Sequence, residues 1–283
     1  MLPDKLIIWA RLSDTQGALL YVYGTTEFYG TSLVRRLIQN GDTVIDVGAN
    51  LEEYTLLAAK HVGRKGRVLA FEPNPGTCEL LSRSVTANGF DNVTLCRVAL
   101  SDVTGHAYLE NSNAANSGLA RLAPQMTDES RNSPMLEVQR DRLDAIIERE
   151  HITHVAFVKL DVEGFEPAVL RGAERLLARD KPFVFWEVND LTQSEYGFTA
   201  PSMEILLGTG YELYGVEPQR SESWRLVRLR AGESPLRFRD RWQHEGYQPN
   251  LLAAHTDNTR TQAIVERLLG ARVSNTESYL ARS

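Results

Sequence analysis

The stretch Asp42–Thr55, with the sequence DTVIDVGANLEEYT, is the part of the chain that best indicates the fold. The short apolar run Thr43-Val44-Ile45 is typical of a parallel strand that is covered on both faces. Gly48 follows where the chain must turn sharply out of this strand, and a residue without Cβ lets the backbone approach a ligand closely. The next helix would direct its free N–H groups at the same place. The stretch therefore predicts a strand, glycine turn and helix, which is typical of a nucleotide-binding start and also of an ordinary α/β turn.

The composition narrows the class of protein. A chain of 283 residues with 42% hydrophobic and 24% charged residues is long enough for one large domain around a substantial core. The net charge of −6 argues against a general nucleic-acid-binding surface. Neither a membrane span nor a signal peptide is expected, and Cys78 and Cys96 have neither disulfide nor zinc spacing. We therefore expect a soluble cytoplasmic protein, and the oligomeric state is left open.

Strands and helices alternate after the opening unit. The run Arg67–Pro73 predicts a second strand that ends at Glu72, and Asn74-Pro75 supplies the start of the next helix. A third strand is predicted at Val93–Leu100, followed by Ser101-Asp102. This alternation predicts a right-handed parallel sheet with helices on both faces.

Three segments fall outside this alternation and flank or interrupt a main domain at 41–230. Residues 1–40 are expected to form an N-terminal cap with two short strands, LIIWARL and ALLYVYG, and a short helix. Residues 103–140 are polar apart from HAYLE and MLEVQR, and we interpret them as a lid-like hairpin, a disordered surface excursion being the alternative. Residues 231–283 are expected to be a C-terminal extension with one helix, at 261–269.

A second informative stretch is HVAFVKLDVEGFEPAVLRGAERLL, which begins at His154. It predicts a buried strand followed by a turn and a helix. Because side chains alternate along a strand, Lys159 and Asp161 are expected to share one face. Glu163 lies in the turn that follows. A fifth strand carries Glu187 near its end, and YELYGV with SWRLVRL predicts an antiparallel hairpin.

Polar residues follow every one of the five predicted parallel strands. In an open α/β sheet the ligand lies at the carboxyl ends of the strands, so these side chains are expected to meet. Glu72 after the second strand has a specific use, because its carboxylate can accept hydrogen bonds from both hydroxyls of a ribose. A helix N-terminal charge is the alternative interpretation of Glu72. The residues at the five ends are Asp46 and Gly48, Glu72, Asp102, Lys159 and Asp161, and Glu187.

The motifs DVGANLEEYT, FEPNP, ALSD and KLDVEGFEPAVLRGA, in this order, resemble the FkbM-type S-adenosylmethionine-dependent methyltransferases over about residues 42–229. The resemblance implies a Rossmann-like class I methyltransferase fold, with a seven-stranded, mostly parallel sheet that ends in the antiparallel hairpin. Many members of this family methylate hydroxyls of sugars or polyketides. The resemblance thus implies an O-methyltransferase whose acceptor is a sugar, glycan or secondary metabolite.

The resemblance also implies a set of cofactor-binding residues. Asp46, Gly48 and Asn50 would line the methionine end of S-adenosylmethionine. Glu72 would hold the ribose, and Asp102 would lie near the adenine. The same motifs add four further residues to the cofactor set, namely Tyr54, Thr55, Pro73 and Ser101.

Glu52 departs from the family pattern, which has a second glycine at this place. A carboxylate there could crowd or repel the methionine portion of the cofactor, or could instead point away as a favourable charge in the first helical turn. The first outcome leads to an alternative function, a non-catalytic relative that binds ligand or partner. A nicotinamide oxidoreductase is a further alternative because of Glu72, although GANLEEY lacks the G-x-G-x-x-G spacing.

Methyl transfer is an in-line displacement, so the protein mainly aligns the nucleophile and removes its proton. Asp161 is the predicted base or substrate-orienting residue, with Lys159 tuning it, and Glu163 and Glu187 are alternative bases. The three carboxylates could also hold Mg²⁺ through oxygen ligands. A metal is not expected, because no His or Asp cluster at ligand spacing accompanies them. A partly buried structural ion pair is the alternative for Lys159 and Asp161.

Overall fold

A computed structural model of the chain describes residues 5–51, 53–110, 120–123, 135–187, 201–219, 223–230, 250–269, 271 and 273–274. Its strands are, in chain order, β1 Thr43–Val47, β2 Arg67–Phe71, β3 Val93–Cys96, β4 Ala99–Leu100, β5 Gly105–Glu110, β6 Arg121–Ala123, β7 Met135–Asp141, β8 Phe157–Leu160, β9 Phe183–Glu187, β10 Tyr211–Gln219, β11 Ser223–Arg228, β12 Asn250–His255 and β13 Val273–Ser274. Its helices are α1 Thr15–Tyr23, α2 Phe28–Leu37, α3 Tyr54–Val62, α4 Pro75–Ala87, α5 Leu143–Arg149, α6 Glu166–Arg171, α7 Glu174–Asp180, α8 Pro201–Gly208 and α9 Thr259–Leu268.

The predicted α/β architecture is confirmed. Within the described residues the main sheet has nine strands in the order β13-β11-β10-β12-β9-β8-β1-β2-β3, where seven were expected. Five strands, adjacent in the order β3, β2, β1, β8 and β9, run parallel to one another. The opening stretch forms β1 and α3 as predicted, and β1 lies in the sheet between β2 and β8.

The additional strand in the middle of the sheet comes from the predicted C-terminal extension. The hairpin of β10 and β11 is present, but β12 lies between β9 and β10 and is antiparallel to both. All six residues of β12 are buried. Their run NLLAAH follows a long polar stretch, and no local pattern in it predicts a return to the sheet. Part of the segment from residue 231 onward is therefore integral to the fold.

The N-terminal prediction of two strands is wrong. ALLYVYG belongs to helix α1, which Asp14 caps by accepting hydrogen bonds from the backbone N–H groups of Gln16 and Gly17. Gly24, with φ of 72°, ends the helix in the left-handed conformation. LIIWARL is in neither a helix nor a sheet. The cap at Asp14 stabilises the helix, since it satisfies N–H groups that would otherwise lack partners.

A second sheet has the order β4-β7-β5-β6. The predicted pairing of HAYLE with MLEVQR is confirmed, because β5 and β7 are antiparallel neighbours. The predicted third strand is divided between β3 in the main sheet and β4 in the second sheet. Residues 111–119 and 124–134 of the predicted lid lie outside the described residues.

The main sheet has a hydrophobic core on each face. Ile45 and Val158 belong to one core, whereas their strand neighbours Val44 and Phe157 belong to the other. Helices α5 to α8 contribute to the first core, and α2, α3 and α9 contribute to the second. Because helices cover both faces of the sheet, the parallel strands are apolar at nearly every position. None of the helices in the described part of the chain is long and apolar enough to cross a membrane.

Candidate active site

A cavity of about 560 Å³ lies at the carboxyl ends of the parallel strands. Seven residues that the sequence predicted for the site line it: Gly48, Asn50, Glu72, Pro73, Asp161, Glu163 and Glu187. The structure therefore brings together residues from the ends of β1, β2, β8 and β9, as the rule for open α/β sheets requires.

The glycine turn after β1 forms one side of the cavity. Gly48 has φ of +73°, and its N–H donates to the carbonyl of Phe71 at 3.0 Å. A Cβ at this position would lie 1.8 Å from the carbonyl oxygen of Asp161. Asn50 is also left-handed, with φ of +41°, and its N–H donates to Glu72 Oε2 at 3.0 Å. The turn is thus tied to both neighbouring strands, and only glycine fits at position 48.

Glu72 is held by backbone N–H groups on both oxygens. In addition to Asn50, the N–H of Asn74 donates to its Oε1 at 2.8 Å. Burial raises the pKa of Glu72 to about 7, and these hydrogen bonds oppose that rise. A carboxylate has about four acceptor positions, so Glu72 can accept further donors from a ligand in the cavity.

Asp46, Thr55 and Lys159 support the cavity from within the protein and are not among its lining residues. The Thr55 hydroxyl donates to Asp46 Oδ2, and Lys159 Nζ lies 3.9 Å from Asp46 Oδ1. Burial raises the pKa of Asp46, although the Lys159 ammonium acts against this. The three side chains form a buried polar group below the glycine turn.

Lys159 connects this buried group to the cavity wall. Its Nζ lies 3.3 Å from Asp161 Oδ2, 3.5 Å from the carbonyl oxygen of Gly48 and 4.9 Å from the centre of the Tyr54 ring. Lys159 is 2% exposed, whereas Asp161 lines the cavity. The ammonium therefore fixes the Asp161 carboxylate and the glycine turn relative to each other.

Three carboxyl groups meet at the cavity wall. Oxygens of Glu27, Asp161 and Glu187 lie within 4.8 Å of one another, and among the described residues they form the cluster suited to a metal ion. Burial, with Glu27 and Asp161 adding to it, raises the pKa of Glu187 to about 9. Burial and Asp161 also raise the pKa of Glu27. The predicted trio of Asp161, Glu163 and Glu187 thus differs from the observed cluster in one member.

Sequence reasoning missed Glu27. It precedes α2, and its Oε2 accepts hydrogen bonds from Tyr54 OH at 2.6 Å and from Asn250 Nδ2 at 3.3 Å. The local signal was an acidic residue at the start of an amphipathic helix, which is typical of an ordinary helix charge. Other N-terminal residues that line the cavity were also missed: Thr15, Gln16, Leu19 and Thr26.

Ser101 and Asp102 do not line the cavity. The Asp102 carboxylate accepts a hydrogen bond from Arg171 Nε at 3.0 Å. Burial acts to raise the pKa of Asp102, but the contacts with Arg171 and Ser101 together outweigh it and lower the pKa overall. The apolar residues just before them line this side instead, namely Val98, Ala99 and Leu100. Glu52 lies outside the described residues.

Glu166 was also missed and stabilises the turn after β8. It is 2% exposed, and its Oε1 accepts hydrogen bonds from the N–H groups of Val162 at 3.2 Å and Gly164 at 3.3 Å. Burial raises the pKa of Glu166 to about 7. The turn that it holds contains Glu163, which has φ of +52° and lines the cavity.

Three features define the Rossmann-like class I fold of S-adenosylmethionine-dependent methyltransferases. They are the parallel sheet with an antiparallel strand between β9 and β10, the glycine turn after β1 and the carboxylate after β2. Within this class, the Methyltransferase FkbM domain family matches residues 46–213, and the chain belongs to that family. The family resemblance predicted from the sequence is confirmed. Membership of this family argues against a nicotinamide oxidoreductase.

Known proteins similar to the chain include one curated relative and several solved structures. The chain is 28% identical over 161 residues to the hexuronic acid methyltransferase AglP of Haloferax volcanii, and the match covers 56% of this chain and 61% of the relative. A methyltransferase FkbM structure from Methylobacillus flagellatus has 18% identity and a TM-score of 0.40, covering 58% of this chain and 37% of that one. A Bacillus cereus O-methyltransferase in complex with SAH has 13% identity and a TM-score of 0.44, covering 82% and 81%.

Proposed function

We propose that the protein transfers a methyl group from S-adenosylmethionine to a hydroxyl group of a sugar, a glycan or a secondary metabolite. The observation that carries the proposal is the position of Asp161. Its carboxylate lines the same cavity as Gly48, Asn50 and Glu72, so the candidate base and the candidate cofactor-binding residues face one space. The hexuronic acid methyltransferase supports a sugar acceptor.

The cavity suits the cofactor in size and in chemistry. Its volume of about 560 Å³ is within the range of roughly 300–1,000 Å³ that is usual for small-molecule sites. Gly48 and Asn50 would lie against the methionine end, and Glu72 would accept hydrogen bonds from the ribose. Val98 and Leu100, rather than Asp102, would lie beside the adenine. The bound cofactor would supply a methyl group activated by its sulfonium.

The chain itself would orient the acceptor and remove its proton. Asp161 would accept the proton of the attacking hydroxyl, and Lys159, 3.3 Å away, would hold the carboxylate in position. Glu187 is less suited to be the base, because a carboxyl group with a pKa of about 9 keeps its proton near neutral pH.

Calorimetric titration with S-adenosylmethionine, SAH and NAD tests the cofactor. We expect heat with the first two and none with NAD. Absence of heat with both methionine cofactors, on folded protein, would contradict the proposal. Binding that appears only in Glu52→Gly would favour the non-catalytic alternative.

Replacement of Asp161 tests the base. We expect Asp161→Ala to reduce methyl transfer to a panel of glycosides and hydroxylated metabolites by at least about 100-fold. Cofactor affinity should stay within about tenfold, which corresponds to roughly 1.4 kcal/mol. Asp102→Asn is the matched control, since this carboxylate pairs with Arg171 away from the cavity lining. Full turnover in Asp161→Ala would exclude Asp161 as the base.

A further inference from the structure

The charged residues that line the cavity are all acidic. Five of the lining residues carry carboxyl groups: Glu27, Glu72, Asp161, Glu163 and Glu187. Among the described residues that line the cavity, none is Lys, Arg or His. Lys159 lies next to the lining, but it is 2% exposed and its ammonium already contacts Asp161 and the Gly48 carbonyl. The cavity therefore offers a ligand many hydrogen-bond acceptors and little positive charge.

Two uncharged side chains independently indicate a ligand that donates hydrogen bonds. Gln16 Oε1 and Thr26 Oγ1 are buried atoms that have no hydrogen-bond partner within the described part of the chain. Both residues line the cavity. Leaving a buried polar atom unsatisfied is unfavourable, so such atoms favour a ligand that supplies the missing partners. An amide oxygen accepts hydrogen bonds only, and a ligand rich in N–H and O–H donors would satisfy it.

We propose that the acceptor carries a protonated amine, as an amino sugar does, and that Glu27 and Glu187 hold this ammonium group beside the hydroxyl that faces Asp161. The inference rests on the proposed function and names the class of its acceptor. Gln16 and Thr26 would accept hydrogen bonds from the remaining N–H or O–H groups of the same molecule.

The electrostatics of the wall favour a cation over an anion. Three partly buried carboxyl groups whose oxygens lie within 4.8 Å of one another repel each other when all are ionised. An ammonium group between them removes this difficulty and forms charge-assisted hydrogen bonds. A carboxylate on the acceptor would add a further like charge. The acceptor would thus differ from the hexuronic acid that gives the AglP relative its name.

Titration of three methyl glycosides into the protein saturated with SAH tests the inference. The probes are the methyl glycosides of glucosamine, glucose and glucuronic acid, which share a sugar ring and differ in charge. We expect the glucosaminide to bind at least about tenfold more tightly than the glucoside, and the glucuronide to bind most weakly. Binding of the glucosaminide near pH 7 should also release protons, because a cation lowers the pKa of Glu187. Titration in buffers of different ionisation enthalpy measures this release.

Two variants connect the preference to the named residues. Glu27→Gln and Glu187→Gln should each reduce the affinity for the glucosaminide about tenfold, while affinity for the glucoside stays within about threefold. Glu204→Gln, on the exposed face of α8, is the matched control and should change neither affinity. SAH affinity should stay within about threefold in all three variants.

Several outcomes would overturn the inference. They are equal affinity for the three glycosides, tightest binding of the glucuronide, or no binding of the glucosaminide. A loss of SAH affinity in Glu27→Gln or Glu187→Gln would overturn it as well, because the carboxyl groups would then hold the ammonium of the cofactor. Failure of the wild-type protein to bind SAH would instead contradict the proposed function, so the two failures are distinguishable.

Discussion

At Gly48, two independent requirements exclude any side chain. The backbone has φ of +73°, which L-residues with a Cβ adopt at a cost. A Cβ would also meet the carbonyl oxygen of Asp161 at 1.8 Å. The positive φ is a property of the local turn. The contact with the Asp161 carbonyl arises only because β8 lies beside β1.

Replacement of Gly48 by alanine should therefore cost more than backbone strain alone. We expect Gly48→Ala to reduce the free energy of unfolding by more than about 2 kcal/mol and to abolish SAH binding. Gly89→Ala is the matched control, because Gly89 has φ of +66° but no heavy atom within 4 Å of an added Cβ. It should cost about 1 kcal/mol. Urea unfolding of both variants measures the difference, and equal losses would show that the Asp161 contact is unimportant.

At the level of the elements, β12 is held in the main sheet along both of its edges. It makes backbone pairs with β9 on one side and with β10 on the other. Leu251 and Ala253 belong to the same core as Val184 of β9, and Leu252 belongs to the opposite core. Asn250 at its start also contacts Glu27 of the cavity wall. The strand thus connects the C-terminal part of the chain to the candidate site.

Removal of β12 should prevent folding of the whole domain. A chain that ends at residue 230 would leave the facing edges of β9 and β10 unpaired and would open both cores. We expect it to be insoluble or to lack a cooperative thermal transition by circular dichroism. A chain that ends at residue 274 retains β12 and β13 and serves as the control. A cooperative transition in the shorter chain would show that the domain closes without this strand.

At the scale of the whole molecule, the fold assembles carboxyl groups that are far apart in the sequence. Glu27 precedes α2, Asp161 follows β8 and Glu187 ends β9, yet their oxygens lie within 4.8 Å of one another. Burial at this junction raises the pKa of Glu187 from an ordinary value of 4.5 to about 9. The pKa values of Glu72 and Glu166 are raised to about 7, also mainly by burial.

These pKa values predict how stability depends on pH. Between about pH 4.5 and 9 the unfolded chain releases the Glu187 proton while the folded protein keeps it. The folded state then binds more protons, so the free energy of unfolding falls as pH rises through this window. Glu187→Gln should flatten this fall and raise stability at pH 8 by on the order of 2 kcal/mol. Urea unfolding from pH 5 to 9 measures both effects, with Glu204→Gln as the control. A stability that does not depend on Glu187 in this window would contradict the raised pKa.

Much of the site could be predicted from local sequence because strand ends in a parallel sheet meet at one edge. Gly48, Glu72, Asp161 and Glu187 were found in this way and all line the cavity. Ser101 and Asp102 do not line the cavity, and Asp102 instead accepts a hydrogen bond from Arg171. Glu27 had no local signal that distinguished it from an ordinary helix charge.

Local sequence patterns predicted the class of fold, the glycine turn, the succession of β1, β2, β8 and β9 along the chain and the family, because these depend on apolar periodicity and on motifs within single units. The folded structure was needed to show that β12 enters the sheet and that Glu27 joins Asp161 and Glu187. Both outcomes depend on contacts between distant segments. Strand pairing across the sheet and the burial of facing carboxyl groups leave no periodic pattern in the segments themselves.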